Sequence, residues 1–407
     1  MTRVEVLDEY EARPVRMSSR AAATISRLGR GRLQVLATSQ DGVFEVKATH
    51  WVGTFVTDDL EVLVRPKVGL DNVLLMLDTG LPRTAWEPEV FSFATQARIL
   101  PALASFFART VERTLGQGIR RDYVPRTSRE PALRGRIRFA ELARQPGLVF
   151  PLPVAYEEYS ADILENRAIK SALSRLLHLP GVGIETRRVM SRELGRLHDV
   201  SDVAVSPHEI DEFPLTRLNA YYEPALRLAA VVLRNLTVVD QPGATSAGSF
   251  MLNMNDLFQD FVTRRLRRAL RGRLDVIAEP TRWLDRDRRV RMWPDLEFRI
   301  DGELVLVGDA KYKLLRGATA RSGDYYQLLA YATALQLRHG LLIYCLAHDT
   351  PPSAVVRVVG SDVTLHAGTI NLSGGDEQLR ESIESVAHSV LTLASLGRRD
   401  AASRSGS

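Results

Sequence analysis

The chain has 407 residues, 45% hydrophobic and 25% charged, which is ordinary for a globular protein large enough for two or three domains. Its formal net charge of +5 permits a polyanionic partner without requiring one. The single cysteine, Cys345, excludes an intrachain disulfide and a zinc site built from several cysteines. Because no segment resembles a signal peptide or is apolar over a bilayer's thickness, we expect a cytoplasmic protein that does not bind membranes.

The predicted elements change character along the chain. Residues 1–85 form a β-rich region, since polar and apolar residues alternate there and the turn signals QDG and TDD interrupt the pattern. Residues 86–245 form a mainly helical middle domain, in which apolar residues recur every three or four positions. A basic connection broken by prolines, residues 118–137, interrupts these helices and is followed by a predicted strand.

The C-terminal third predicts a different domain. Residues 246–370 read as helix, three strands, helix and strand, after a loop-like run of small residues. The Ser/Gly/Arg-rich segment 371–407 predicts a C-terminal helix and a disordered tail. The fold class predicted for the whole chain is therefore α+β and multidomain.

The choice of basic residues singles out one strand. Only 5 of the 54 basic residues are lysines, yet Lys311 and Lys313 both lie in the sequence VGDAKYK, beside Asp309. The guanidinium of arginine stays charged, whereas the pKa of a buried lysine can fall far enough for the amine to accept a proton. We therefore predict that Lys311 occupies a position that needs a titratable amine.

A second carboxylate is expected beside Asp309. The Asp-Gly pair at 301–302 predicts a hairpin between residues 295–300 and 303–309. A strict two-residue loop would put Asp295 and Asp309 on opposite faces, whereas a bulge or a three-residue loop would put them on the same face as Lys311. We predict a bulged or three-residue loop, and a simple type I′ hairpin would count against the site. If the faces agree, the two close carboxylates repel unless a cation lies between them, and such oxygen ligands suit Mg²⁺.

The Pro-Asp at 294–295 followed by Asp-Ala-Lys at 309–311 resembles the signature of PD-(D/E)xK nucleases, and the order of elements is similar to their αβββαβ core. Gln327 and Tyr331, four residues apart on the next helix, resemble the Gln-x-x-x-Tyr element of RecB-like nucleases. Solvation of the glutamine beside a tyrosine at the edge of the core explains this pair equally well.

Four further segments resemble the McrC family, the nuclease subunit of McrBC modification-dependent restriction systems. They are LVRPKVG at 63–69, GIRRDYVPRTSREPALRGRI at 118–137, AYEEYSADILENRAIKSAL at 155–173 and MNDLFQDFV at 254–262. The resemblance implies that residues 1–85 dock on a hexameric McrB-like AAA+ GTPase and stimulate it. It also implies that residues 246–370 cut double-stranded, modified DNA.

The resemblance also implies roles for individual residues. Asp295, Asp309 and Lys311 would be the catalytic set, and the two carboxylates with the backbone carbonyl of Ala310 would bind Mg²⁺, or Mn²⁺ in its place. Gln327, Tyr331 and Lys313 would be accessory residues. Relatives often carry a glutamate at the position of Gln259. The absence of that glutamate leaves two firm metal carboxylates, and Glu297 or Glu279 would be the replacement for the missing acid.

Other charged segments have two readings. Arg264, Arg265, Arg268 and Arg271 on the first helix of the C-terminal domain could track DNA phosphates or form a solvated face. The LDRDRRVR segment at 284–291 reads as a charged hairpin turn, and Trp51 and Trp293 as core residues. No Gly-Lys dipeptide exists in the chain, so the usual nucleotide-binding loop is excluded and any nucleotide hydrolysis falls to a partner.

Two alternatives to the restriction subunit remain open. A stand-alone RecB-like repair nuclease would cut DNA without a partner. A non-catalytic activator or scaffold of a ring ATPase would stimulate its partner without cutting, and Gln259 keeps this reading open.

Overall fold

A computed structural model of the chain describes residues 3–29, 31–57, 60–77, 99–144, 147, 150–179, 181–239, 247–313, 322–346, 355–372 and 375–405. The strands are β1 (Arg3–Asp8), β2 (Ala12–Arg16), β3 (Leu33–Ala37), β4 (Val43–Ala48), β5 (Trp51–Val56), β6 (Leu60–Arg65), β7 (Asp122–Glu130), β8 (Arg136–Ile137), β9 (Leu152–Ser160), β10 (Leu236–Val239), β11 (Ala247–Asn253), β12 (Asp275–Ala278), β13 (Arg282–Trp283), β14 (Arg291–Met292), β15 (Leu296–Ile300), β16 (Glu303–Lys311), β17 (His339–Leu346), β18 (Val355–Arg357) and β19 (Thr364–Asn371). The helices are α1 (Ser19–Leu28), α2 (Leu70–Met76), α3 (Ile99–Gly116), α4 (Phe139–Ala143), α5 (Leu164–Leu177), α6 (Ile184–Arg196), α7 (Pro207–Asp211), α8 (Glu223–Asn235), α9 (Met254–Ala269), α10 (Ser322–Ala334) and α11 (Asp376–Ser405).

The chain forms two compact units, and both mix helices with sheets, so the predicted α+β class is confirmed. The first unit comprises Met1–Thr2, Gly53–Glu61 and Thr79–Phe250. The second comprises Arg3–Val52, Val62–Asp78 and Met251–Ser407. Most of the N-terminal β-rich region therefore belongs to the same unit as the C-terminal sheet.

The first unit has the helical core that the periodicity predicts. Helix α5 packs against α6 and α8, and α3 packs against α6 and α8. The faces that meet are apolar, with Phe107, Leu173 and Leu228 fully buried among them. Burial of these side chains supplies most of the stability of such helices, since isolated helices of this length are marginal in water.

The basic connection at 118–137 contains a strand that the sequence analysis missed. Strand β7 runs through Pro125 and pairs antiparallel with β9 along nine residues, from Asp122 opposite Ser160 to Glu130 opposite Leu152. In this sheet the order is β7-β9-β8, so β7 is an edge strand. An edge strand tolerates proline because one side of it makes no ladder hydrogen bonds, and the proline signal for a broken segment was therefore wrong here.

The second unit is built around a six-stranded sheet of order β12-β15-β16-β17-β19-β18. Strands β12, β15 and β16 are antiparallel neighbours, while β16, β17 and β19 run parallel. Helix α10 makes the crossover from β16 to β17, as a parallel connection requires. Within this sheet the predicted order of helix, three strands, helix and strand is present as α9, β12, β15, β16, α10 and β17, but a separate hairpin of β13 and β14 is inserted between β12 and β15. The sheet continues beyond β17 into β18 and β19.

Helices pack against this sheet. Helix α9 begins at Asn253, whose side chain accepts the backbone N–H groups of Asn255 and Asp256 and so caps the first turn. Helix α11 packs against β16 and β19 and approaches so closely that a Cβ on Gly397 would lie 2.3 Å from the carbonyl oxygen of Val305. The helix extends to Ser405, so the segment predicted as a disordered tail is helical through that residue.

The N-terminal part of the second unit contains a three-stranded sheet of order β2-β4-β3. The turn predicted at QDG connects β3 and β4, with Gly42 at a φ of 69°. Helix α1, between β2 and β3, lies in the region predicted as β-rich; Ser18 caps it by accepting the N–H of Ala21. In the part of the chain that the structure describes, no helix is long and apolar enough to cross a bilayer.

Candidate active site

The hairpin between β15 and β16 has a two-residue loop. Ile300 pairs with Glu303, and between them Asp301 and Gly302 have φ values of 52° and 80°. Positive φ at both positions is the geometry of a tight primed turn, which Asp-Gly favours. The loop therefore has one residue fewer than the predicted three-residue loop.

A bulge within the ladder supplies the missing residue. The register shifts beyond the loop because the pairing skips Val305, and Leu296 then lies opposite Gly308. One residue further along, Asp295 and Asp309 come to the same face of the sheet. The predicted bulged or three-residue loop is therefore wrong, because the loop is a tight two-residue turn; the same-face arrangement comes instead from a bulge inside β16.

Asp309 is the most enclosed acid of the site. Its side chain is fully buried, and neither carboxylate oxygen has a hydrogen-bond partner of ordinary geometry among the described residues. The ammonium of Lys311, two residues along the same strand, lies against its Oδ2 atom. A buried carboxylate with unused acceptor positions is costly unless a cation compensates it.

Asp295 is forced toward the protonated state. Burial raises the pKa of its carboxyl to about 8, and the negative charge of Asp309 adds to the effect. One of its oxygens accepts the backbone N–H of Ala310 at 2.8 Å, which opposes the shift. At neutral pH, and without a cation beyond Lys311, the carboxyl of Asp295 therefore favours its protonated form.

These properties fit a divalent metal ion. The half-buried carboxyl of Asp295, with its raised pKa, and the fully buried carboxyl of Asp309 lie on one face, and such groups are the hard oxygen donors that Mg²⁺ and Mn²⁺ bind. Within the described ranges, no three His, Cys, Asp and Glu side chains are grouped in a way that could hold a metal. The candidate is therefore a two-carboxylate site that leaves other coordination positions to water, backbone or substrate.

The lysine beside these acids is held in its charged form. Burial opposes the ammonium of Lys311, but the charges of Asp309 and Asp295 outweigh burial and raise its pKa. The expected fall in the pKa of this lysine is therefore absent while the carboxylates are uncompensated. A cation bound to both acids would remove the effect that raises the pKa and leave the effect of burial, which lowers it.

Lys313 has a different task from Lys311. Its ammonium pairs with Asp324 in the first turn of α10, and the hydroxyl of Tyr344 donates to the other oxygen of Asp324 at 2.9 Å. Asp324 is buried, so this pair fixes the start of α10 against β16 and β17. The scarcity of lysine pointed to this strand, but nothing in the sequence identified Asp324 as the partner.

Helix α10 reaches the segment that carries Asp295. Gln327 donates from its Nε2 atom to the hydroxyl of Tyr331 at 2.7 Å, and that hydroxyl donates to the backbone carbonyl of Trp293 at 3.2 Å. The two side chains share one face, as their spacing of four predicts. Tyr331 is buried and contacts the backbone two residues before Asp295, whereas Gln327 is exposed and donates to Tyr331, so both readings of the pair stay open.

The structure separates the two replacements considered for the missing acid. Glu297 is fully buried, and Arg282 and Arg299 both bind its carboxylate. The exposed carboxylate of Glu279 instead accepts the side-chain N–H of Gln259 at 2.8 Å. Glu297 is thus already neutralised, whereas Glu279 lies beside the position where relatives carry an acid.

The four arginines considered for contact with DNA are not equivalent; three lie on α9, and Arg271 follows the end of that helix. Arg264 donates to the carbonyl of Met76 at 3.0 Å, and Arg265 lies over the ring of Phe261. Arg268 and the following Arg271 are exposed. The first two side chains are committed to packing within the unit, and only the latter two present free guanidinium surface.

The LVRPKVG motif connects the N-terminal region to the candidate site. The ammonium of Lys67 lies 3.6 Å from the carboxylate of Glu9, and the hydroxyl of Tyr312 donates to the same carboxylate at 3.4 Å. Tyr312 directly follows Lys311 in the chain. The motif therefore fixes the end of the strand that carries Asp309, a role that sequence reasoning missed.

The EEYSADILENRAIK motif builds a buried network in the first unit. Asn166 donates to the carbonyls of Arg120 and Ala161, which flank β7 and β9, and accepts the hydroxyl of Tyr222. The carboxylate of Asp162 accepts hydrogen bonds from Nε and Nη2 of Arg167 at 2.6 and 2.7 Å. The network joins the base of the β7–β9 ribbon to α5 and α8.

Two tryptophans were predicted in the core. Trp51 is partly buried and has Arg32 over its ring, but Trp293 is 53% exposed. The prediction is wrong for Trp293 because its backbone carbonyl, and not its ring, faces α10. Cys345 is fully buried, as predicted, and burial raises the pKa of its thiol.

Comparison with known proteins points to one family. The sequence model described as "McrBC 5-methylcytosine restriction system component" matches residues 46–345. A curated relative, the "Type IV methyl-directed restriction enzyme EcoKMcrBC" of Escherichia coli strain K12, is 27% identical over 278 residues, which are 63% of this chain and 78% of the relative.

Solved structures give a similar fold. A chain in the half-complex of Thermococcus gammatolerans McrB AAA+ hexamers with bound McrC aligns at a TM-score of 0.54 and 16% identity, covering 94% of this chain and 100% of that one. A chain of the Thermococcus gammatolerans McrBC complex aligns at a TM-score of 0.43 and 18% identity, covering 66% and 88%. The first alignment supports a common fold over nearly the whole chain.

Proposed function

The chain belongs to the family of McrBC 5-methylcytosine restriction system components, and we propose that it is the McrC-type, Mg²⁺-dependent DNA endonuclease subunit of such a system. Its C-terminal sheet would be a PD-(D/E)xK nuclease core. Asp295, Asp309 and Lys311 would be the catalytic residues.

The observation that carries this proposal is the bulge in β16. Without the skipped Val305, the two-residue loop would direct Asp295 and Asp309 to opposite faces. With it, the half-buried carboxyl of Asp295, the fully buried carboxyl of Asp309 and the amine of Lys311 share a face. A hairpin serving stability alone has no need for two facing acids, one of which has its pKa raised by burial and by the charge of the other.

The metal would be held by Asp295 and Asp309, with the carbonyl of Ala310 as a third ligand. Bound there, Mg²⁺ would supply positive charge to the scissile phosphate and to the departing oxygen. Oδ2 of Asp309 lies against the ammonium of Lys311, its Oδ1 has no hydrogen-bond partner among the described residues, and the N–H of Ala310 orients the carboxylate of Asp295. Lys311 would orient the attacking water and accept its proton, a task that arginine cannot perform.

A partner would provide nucleotide hydrolysis. The chain has no phosphate-binding loop, and the similar solved chain is described with McrB AAA+ hexamers and bound McrC. We infer that this chain binds a hexameric AAA+ GTPase and stimulates it. We also infer that the substrate is double-stranded DNA carrying modified cytosine, as the description of the family suggests.

The test is plasmid cleavage with Mg²⁺, GTP and methylated or unmethylated DNA. The chain is assayed with and without the AAA+ protein encoded beside it, as wild type and as Asp309→Ala. Cleavage that requires the partner, GTP and Asp309 would support the proposal. Partner-independent cleavage would indicate a repair nuclease, and stimulated GTP hydrolysis without any cleavage would indicate an activator.

A further inference from the structure

A small hairpin lies in the chain just before Asp295, and the proposed reaction gives it no role. Strands β13 and β14 pair at Arg282 with Met292 and at Trp283 with Arg291. The turn between them, residues 284–290, was interpreted from the sequence as a charged turn. Its outer residues, and Trp293 immediately after it, are exposed.

The base of this hairpin is attached to the catalytic sheet. Arg282 binds the fully buried carboxylate of Glu297 through two of its nitrogens, the second at 2.7 Å, and Glu297 lies two residues after Asp295 on β15. At the other end, the carbonyl of Trp293 accepts the hydroxyl of Tyr331. The hairpin is thus held at both ends to elements that carry or support the candidate site.

The tip of the hairpin is rigid. The side chain of Asp285 accepts the backbone N–H groups of Arg289 at 2.9 Å and Val290 at 2.8 Å. These hydrogen bonds lower the pKa of Asp285 and keep its carboxylate ionised. The turn therefore presents its remaining side chains in a fixed arrangement.

Two arginines at the tip carry uncompensated charge. Arg289 is paired with Asp285 and Asp287, whereas Arg286 and Arg288 have no ion pair with any residue in the described part of the chain. Both are exposed. Free guanidinium groups held on a rigid turn are suited to phosphate oxygens.

Exposed apolar surface accompanies this charge. Trp293 is 53% exposed, and Leu284 and Val290 are 49% and 50% exposed. A large aromatic ring left in solvent next to basic side chains is the combination that nucleic-acid grooves use, because the ring stacks on bases and sugars while the arginines bind phosphates.

We propose that the hairpin formed by residues 282–292, together with Trp293, binds the DNA beside the scissile phosphate. Arg286 and Arg288 contact backbone phosphates, and the ring of Trp293 stacks on a base or deoxyribose next to the cleaved bond. The assignment deepens the proposed nuclease function and rests on it for the identity of the ligand. It names these residues as substrate-positioning residues, separate from the acids that bind metal.

The test measures binding without cleavage. Every variant is placed in an Asp309→Asn background, and the affinity of the full chain for a methylated 30-base-pair duplex is followed by fluorescence anisotropy between 50 and 200 mM salt. Each phosphate contact contributes about 0.9 to the slope of log affinity against log salt. The double variant Arg286→Ala/Arg288→Ala should lower the slope by about 2.

The matched control removes the same charge elsewhere. Arg380 and Arg398 are exposed on α11 and paired with Glu384 and Asp301. Their double substitution by alanine should leave the slope unchanged. Equal effects of the two double variants would overturn the assignment, because they would reduce it to net charge.

Trp293 has its own readout. Trp293→Ala should weaken binding by roughly 5- to 100-fold, and Trp293→Phe by less than about 3-fold, because a phenyl ring still stacks. The quenching of tryptophan fluorescence by DNA should be smaller in Trp293→Phe, which keeps the other three tryptophans. Unchanged quenching in that variant would overturn the role of the ring.

These outcomes separate the two claims. If the wild-type chain with its partner cleaves nothing but the hairpin variants lose affinity as described, the nuclease proposal fails and the DNA-binding assignment stands. If the chain cleaves and the hairpin variants bind like the control, only the assignment fails.

Discussion

The backbone N–H of Ala310 donates a hydrogen bond of 2.8 Å to the carboxylate of Asp295. This contact joins two parts of the chain, 15 residues apart, that must act together. It exists because the bulge at Val305 brings β15 and β16 into the register that puts Asp295 and Asp309 on one face. The geometry of the candidate metal site is thus a property of hairpin register as much as of the acids themselves.

The amine of Lys311 should be required as a titratable group and not only as a charge. Lys311→Arg keeps the positive charge beside Asp309 but cannot accept a proton at neutral pH. We expect a loss of DNA cleavage rate of about 100-fold or more, in the range of general-base contributions. Steady-state cleavage and DNA binding measured on the same preparation check this; a rate within about 5-fold of wild type would show that the charge suffices.

The hydroxyl of Tyr331 should stabilise the segment that carries Asp295. Tyr331→Phe removes the donor to the carbonyl of Trp293 and should lower the free energy of unfolding by about 1–3 kcal/mol. The same variant should slow cleavage, because the backbone before Asp295 loses its anchor. Tyr326→Phe on the same helix is the control, since Tyr326 is 69% exposed. Identical denaturant midpoints for the two variants would refute the role.

The buried Glu9 should make the stability depend on pH. Burial raises its pKa from 4.5 to about 7, and Lys67 only partly opposes the shift. A carboxyl whose pKa is raised on folding stabilises the folded chain below pH 4.5 and loses that contribution as the pH rises through 7.

Denaturant unfolding at several pH values tests this for Glu9→Gln. The difference in unfolding free energy, wild type minus variant, should fall by about 3 kcal/mol between pH 4 and 8, at about 1.4 kcal/mol per pKa unit. A difference that stays constant over this range would mean that folding does not shift the pKa of Glu9.

The sequence predicted those features that depend on local pattern. The order of elements from α9 to β17 follows from periodicity, and the rarity of lysine pointed to Lys311 and Lys313. The need for a bulge followed from the alternation of side chains along a strand, since a two-residue Asp-Gly loop alone would put Asp295 and Asp309 on opposite faces of the sheet. The position of the bulge could not be predicted, because any residue of β16 could have been skipped.

Features that depend on tertiary contacts escaped the sequence analysis. The strand through Pro125 required knowledge that β7 lies at a sheet edge. The exposure of Trp293 depends on which side of its backbone faces α10. Asp324 and Glu9 are distant in sequence from the lysines they bind, so only the fold brings each pair together.

Metal binding by the two acids tests the central claim most directly. Thermal unfolding of the chain is followed in EDTA and in saturating Mg²⁺, for wild type, Asp295→Asn and Asp309→Asn. Asp301→Asn is the control, because it alters an exposed acid of the same hairpin. Ligand at 100 times its dissociation constant stabilises by about 2.7 kcal/mol.

We predict that Mg²⁺ raises the midpoint of wild type and of Asp301→Asn by a few degrees and leaves both site variants unchanged. The unfolding midpoints of the two site variants should also change less on addition of EDTA than the midpoint of wild type. A shift of equal size in all four proteins, or in none, would contradict the assignment of Asp295 and Asp309 as one metal site.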